Sequence, residues 1–164
     1  KRASHHIMRQ ENINQILLEE AQKGLRVVRL KGGDPFLFGR GGEELELLRE
    51  NGIPYEVVPG VTSSIAVPAY NGVPVTHRDF CSSVHIITGH KRAGEEYDID
   101  FRALVDTKGT LVFLMGVSAL PDICAGLINA GMEKDMPAER NDSWPEADRG
   151  YSFHPGRRGK APGN

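Results

Sequence analysis

Residues 26–48 read "RVVRLKGGDPFLFGRGGEELELL", and they decide the fold. A β-branched run, opened by Leu25, stops at Gly32-Gly33 and Asp34-Pro35. Glycines and arginines then lead into a leucine-bearing helical pattern from about residue 43 to residue 50. Strand, glycine loop and helix is the order in which an open α/β sheet presents a ligand beyond the carboxyl end of a strand. Glycines at that point let backbone approach a ligand closely.

The loop narrows the ligand. It lacks the Gly-Lys-Ser/Thr ending of a phosphate loop, and "GRGGEE" lacks the Gly-x-Gly-x-x-Gly spacing of a dinucleotide site. Asp34 would repel a pyrophosphate. It could accept hydrogen bonds from ribose or amine groups, and it would tolerate a nearby cation. A ligand with a nucleoside, an ammonium and a sulfonium suits such a loop better than a di- or triphosphate, and S-adenosylmethionine is that ligand. A purely structural glycine turn is the other reading of the same residues.

Outward from the loop, helices and strands alternate, which argues for parallel sheets with crossover helices. Ile13, Ile16, Leu17 and Ala21 predict one face of a helix over 10–23, closed by Gly24. "LRVVRL" and "YEVVP" predict strands at 25–30 and 55–59. A helix over 61–70 has Thr62 or Ser63 as its cap and Pro68 to shorten or bend it. The turn-rich "NGVPVTHRDF" is the expected domain boundary. "SVHIIT" and "GTLVFLM" predict further strands, and helices are expected over 101–105 and 119–130. "KRAGEEYDID" reads as a solvated charged loop. The residues after 137 lose apolar periodicity and predict a disordered or loosely attached tail.

The chain has 164 residues and a net charge of −2, so it carries no nucleic-acid footprint. No apolar run approaches the roughly 20 residues of a membrane helix, and no signal-peptide pattern opens the chain. Cys81 and Cys124 form no disulfide framework or zinc pattern, which fits a reducing cytoplasm. Both thiols are expected buried or half-buried. The His5-His6 pair lacks a partner at ligand spacing, so no metal site is expected.

"VVRLKGGDPFLFGRGGEE", then "VVPGVTSSIAVPAYNGVPVTHR", then "TGH", strongly resembles the uroporphyrinogen-III C-methyltransferases of the tetrapyrrole methylase family. "KRASHHIMRQENINQILLEEAQKG" and "GTLVFLMG" fit the same resemblance, which covers residues 1–138. It implies two α/β domains with mostly parallel sheets, only part of the first being present: 1–77 from the cofactor-binding domain, 78–137 from the second, and 138–164 a divergent tail. It implies S-adenosylmethionine as cofactor, S-adenosylhomocysteine as product, a tetrapyrrole substrate, a homodimer and a cytoplasmic location.

By the same resemblance, Gly32, Gly33, Asp34 and Leu37 line the methionine and ribose side of the cofactor. Thr62 and Ser63 match a second cofactor contact, Met115 packs near the adenosine, and Lys1 aligns with a proton donor. Arg40, His77, Arg78 and His90, with Arg29 as a further candidate, would meet the carboxylates of uroporphyrinogen. The implied reaction methylates that substrate at C2 and then C7 to give precorrin-2. The family's opening strand, its Gly-x-Gly-Pro-Gly-Asp loop and its acidic proton acceptor have no counterpart here, so the chain reads as the C-terminal two-thirds of such an enzyme. Leu114 stands where the family often has tyrosine. Another precorrin methylase, a nicotinamide oxidoreductase with a degenerate fingerprint, and a non-catalytic remnant are the competing functions.

Overall fold

The computed structural model describes residues 8–90 and 99–140. Lys1, the His5-His6 pair, residues 91–98 of the charged loop and residues 141–164 of the tail lie outside the described residues. By internal contacts the chain parts into two compact units, Lys1–Thr62 and Ser63–Asn164. The division precedes the connector because the helix that starts at Ser63 packs on a strand of the later unit.

In the first unit, α1 (Gln10–Gln22) packs along α2 (Gly41–Glu50). Gly24 ends α1 with φ +77, a conformation that glycine adopts at no steric cost. The contacting face of α1 runs through Gln10, Asn14 and Leu18, spaced one turn apart. Gln10 Nε2 donates to Glu44 at 3.1 Å, and Asn14 Nδ2 donates to the Glu43 carbonyl at 3.2 Å. Those bonds set the rotation of the helix. They bury Leu18 and leave Ile16, expected on the packed face, 44% exposed.

Residues 25–30 and 55–59 form no strand, contrary to their composition. Val28 is 73% exposed, Leu30 82% and Val58 76%. Among the described residues the sheet has two strands, and neither segment joins it. β-Branched composition marks a segment that suits a sheet; forming one takes a neighbour.

The second unit holds α3 (Ser63–Tyr70), β1 (Val84–Thr88), α4 (Phe101–Asp106), β2 (Thr110–Leu114), a 3-10 turn at Val117–Ala119 and α5 (Leu120–Asn129). β1 and β2 pair in parallel, Val84 with Thr110 through Thr88 with Leu114, and α4 lies in the crossover between them. Asp100 caps α4 by accepting from the Ala103 amide at 2.9 Å. Ile123 and Leu127, one turn apart on α5, are buried with Ala119 against Phe101, Val105, Leu111, Phe113 and Met132. Gly131, with φ +104, follows α5 as its stop. Of the two thiols, Cys81 is half-buried, while Cys124 is exposed, contrary to expectation.

The α4–α5 contact depends on a missing side chain. A Cβ at Gly126 would lie 2.5 Å from the Phe101 ring. Alanine there gains about 1 kcal/mol of helix propensity against an overpacking cost of about 1–3 kcal/mol. G126A is therefore expected to lower the stability measured by urea unfolding, and adding F101L should restore it.

Candidate functional site

The glycine loop is wound around one carboxylate. Asp34 Oδ1 accepts from the amides of Phe36, at 2.9 Å, and Leu37, at 3.0 Å. Its Oδ2 accepts from the Gly60 amide at 3.2 Å. The Phe36 amide, then those of Gly60 and Leu37, hold the Asp34 carboxyl below the usual carboxylate range. The Gly41 amide returns to the Pro35 carbonyl at 2.9 Å and closes the loop onto α2. Cβ atoms at Gly39 and Gly41 would meet that carbonyl oxygen at 2.5 and 2.6 Å. Phe38 and Arg40 take positive φ, 54° and 56°, in a region that non-glycine residues occupy only under constraint.

A second loop lies against the first. A Cβ on Gly60 would come within 2.5 Å of the Gly33 carbonyl oxygen, so only glycine lets the two backbones touch. Gly33 in turn faces the Val61 carbonyl. Gly32 faces open space. The fold therefore gathers Gly32, Gly33, Asp34 and Leu37 beside residues 60 and 61, with Thr62 next in the chain.

The lysine before the loop is already committed. Lys31 Nζ lies 3.0 and 3.1 Å from the two oxygens of Glu44, whose residue is only 5% exposed. Arg29 Nε reaches Glu44 Oε1 at 3.2 Å. Burial pushes the Glu44 carboxyl up. Hydrogen bonds from Lys31 and Gln10, with the charges of Lys31 and Arg29, outweigh it and bring the pKa below the ordinary glutamate value. Arg29, a candidate for substrate contact, thus also serves an internal carboxylate. The two acids in the first turn of α2, Glu43 and Glu44, also disfavour an anion at that helix end.

In the second unit the strand ends converge on two glycines. The Gly89 amide donates to the Leu114 carbonyl at 2.7 Å, and a Cβ on Gly89 would lie 2.4 Å from the Gly116 Cα. Between Leu114 and Gly116, Met115 adopts φ +57 and is 56% exposed. A constrained backbone at the carboxyl end of a parallel strand is where ligand contacts gather. His90 follows β1 at the same edge, its amide on Thr88 Oγ1 at 3.1 Å. Ser63 opens α3 and is exposed, whereas its neighbour Ser64 is almost fully buried.

The cationic candidates each have a local setting. Arg40 is exposed and 3.8 Å from Glu43. His77 belongs to a turn closed by the Phe80 and Cys81 amides on its carbonyl. Its ring accepts from the Asp79 amide at 3.2 Å and meets the Phe80 ring at a 48° tilt, 4.8 Å between centroids. Arg78 is exposed in the same turn. No group of three or more His, Cys, Asp or Glu among the described residues is placed to hold a metal. No described helix is long and apolar enough to cross a membrane.

Sequence reasoning missed Glu44, Gly60 and the Gly89–Gly116 pair. A signal for Glu44 was present: it lies three residues after Gly41 and four before Leu48, on the inward face of α2, and Arg29 and Lys31 alternate to one side of the preceding segment. Gly60 and Gly89 carry no such local mark, because each is required by a partner distant in sequence.

Glycine-lined loops without a free phosphate-binding lysine, and a strained residue at a parallel strand end, define an α/β protein built to hold a small ligand. The chain belongs to the tetrapyrrole (corrin/porphyrin) methylases, which match residues 1–141. It is 64% identical over 138 residues to the porphyrin biosynthesis protein HemD of Ruminiclostridium josui, covering 84% of this chain and 27% of that protein. It is 58% identical over 138 residues to siroheme synthase 2 of Klebsiella pneumoniae, covering 84% and 30%. The chain thus spans less than a third of these curated relatives. The uroporphyrin-III C-methyltransferase of Thermus thermophilus, solved with S-adenosylhomocysteine, superposes with a TM-score of 0.64 at 42% identity, covering 76% of this chain and 53% of that one. The cobalt precorrin-4 methyltransferase CbiF superposes at 0.66 with 28% identity, covering 80% and 54%.

Proposed function

We propose that this chain is the larger part of the S-adenosylmethionine site of a C-methyltransferase that converts uroporphyrinogen III to precorrin-2 by methylation at C2 and C7. The observation that carries the reading is its 42% identity to a Thermus methyltransferase solved with S-adenosylhomocysteine. The loops suit that cofactor: a zwitterionic amino acid and a nucleoside call for close backbone and few fixed charges, and the one lysine beside the glycines is paired internally. The backbone of Gly32 and Gly33, with Leu37, Thr62, Ser63 and Met115, would hold it. When bound, it supplies an electrophilic methyl group on a sulfonium.

The protein's share is alignment of the two reactants and exclusion of water. Arg40, His77, Arg78 and His90 would orient the substrate's carboxylates, and Lys1 would move a proton. Residues 1–77 and 78–137 would be portions of two domains, in a cytoplasmic homodimer. The likeness to CbiF favours a second reading, methylation of a later precorrin.

Calorimetry with S-adenosylhomocysteine, and NADH in parallel, tests the cofactor reading. Micromolar binding of the first and silence of the second are expected; NADH binding alone would overturn it. Incubating the parent enzyme with uroporphyrinogen III and S-adenosylmethionine tests the reaction. A product two methyl groups heavier is expected, and an unchanged substrate favours the later precorrin.

A further inference from the structure

We propose that Asp34 is a positioning residue: its carboxylate latches the second glycine loop to the first and leaves ligand contact to the backbone on either side. Its two oxygens have separate tasks. Oδ1 shapes the turn through Phe36 and Leu37, and Oδ2 reaches across to the Gly60 amide. The Gly60 Cα already touches the Gly33 peptide, so van der Waals contact sets the spacing of the loops and the Oδ2 bond sets their register. An ionised carboxylate has about four acceptor positions. Turning Asp34 toward a ribose or an amine would release amides that it now satisfies. The depressed carboxyl agrees with this inward commitment, since three backbone donors favour the charged form.

The inference rests on the cofactor reading above only for its effect on binding; the latch itself is observable without ligand. Two-dimensional amide NMR of the whole chain provides the test. In the unaltered protein, the Gly60 amide resonance is expected to titrate with Asp34, bonded above the folded carboxyl pKa and released as pH falls through it. D34N keeps one carbonyl oxygen for the turn and presents an NH2 group to the Gly60 amide. Gly60 should then lose its hydrogen-exchange protection, while Phe36 and Leu37 keep theirs. S-adenosylhomocysteine should bind about tenfold more weakly to D34N, as for loss of one hydrogen bond to a charged group.

A Gly60 amide that neither titrates nor loses protection in D34N overturns the latch. Weaker binding with an unchanged Gly60 amide overturns it in favour of direct ligand contact. If the unaltered chain binds no S-adenosylhomocysteine, the cofactor reading falls and the Gly60 resonance still decides the latch. The pH titration needs no variant, so it stands if D34N fails to fold.

Discussion

G89A is expected to unfold the second unit at markedly lower temperature than the unaltered chain. The added Cβ would meet the Gly116 Cα at 2.4 Å, the Gly116 amide nitrogen at 3.1 Å and the buried Ile123 at 3.2 Å. The first two are main-chain atoms, so no rotamer change relieves them. Either the ends of β1 and β2 separate, breaking the 2.7 Å bond from Gly89 to Leu114, or α5 moves off the sheet. Overpacking of this kind costs about 1–3 kcal/mol, and backbone-on-backbone contact belongs at the upper end. For a small domain that corresponds to a drop in Tm of more than about 10 °C. Calorimetric melting checks it. G42A is the control: nothing lies within 4 Å of its Cβ, and in a helix it should stabilise by about 0.5–1 kcal/mol. Equal melting of G89A and the unaltered chain would mean that the strand ends are not in contact.

E44A is expected to have the larger effect in the first unit. Glu44 joins α1 through Gln10, α2 through its own backbone, and the segment before the glycine loop through Arg29 and Lys31. Removing it leaves the Lys31 ammonium, with a side chain 14% exposed, without its carboxylate. Breaking a buried pair from one side costs about 3–5 kcal/mol. Arg29 can return to water, so about 3 kcal/mol is expected in denaturant unfolding. E44Q should lose less, because its remaining carbonyl still accepts.

The two variants also differ from the unaltered chain in acid. The folded Glu44 pKa lies below its unfolded value, so the folded state holds the proton less tightly. Its contribution is complete above the unfolded glutamate pKa, about 4.3, and disappears as pH falls through the folded one. E44Q should therefore flatten the acid limb of the stability profile. An E44Q limb as steep as that of the unaltered chain would assign acid sensitivity elsewhere.

Local pattern carried a good part of this fold. The spacing of leucines and isoleucines, with glycine stops, located α1, α2 and α5 to within a residue or two, and "SVHIIT" and "GTLVFLM" contained β1 and β2. The helix at 119–130 began instead with a 3-10 turn at Val117–Ala119. Residues 25–30 and 55–59 failed as strands for the opposite reason: a strand is a relation between two segments, and their residues describe only one. The glycine loop was legible as a tight loop because Gly and Pro act through their own backbone and Asp34 through amides two and three residues on. Its supports were harder to read. Gly60 is glycine because of Gly33, a pairing that leaves no local trace, and Glu44 is buried because of Lys31 and Arg29, marked only by its place on the face of α2 and by the alternation of the two cations.

Residues 26–30 have a bearing on how the protein behaves in concentrated solution. They place Val27, Val28 and Leu30 at the surface beside main-chain groups that join no ladder among the described residues. Such a segment is a template for intermolecular β-pairing. Arg26 and Arg29 interrupt the apolar run and act as gatekeepers against aggregation. Arg26 and Arg29 are thus the charges that temper pairing of this segment, and one of them is already tied to Glu44.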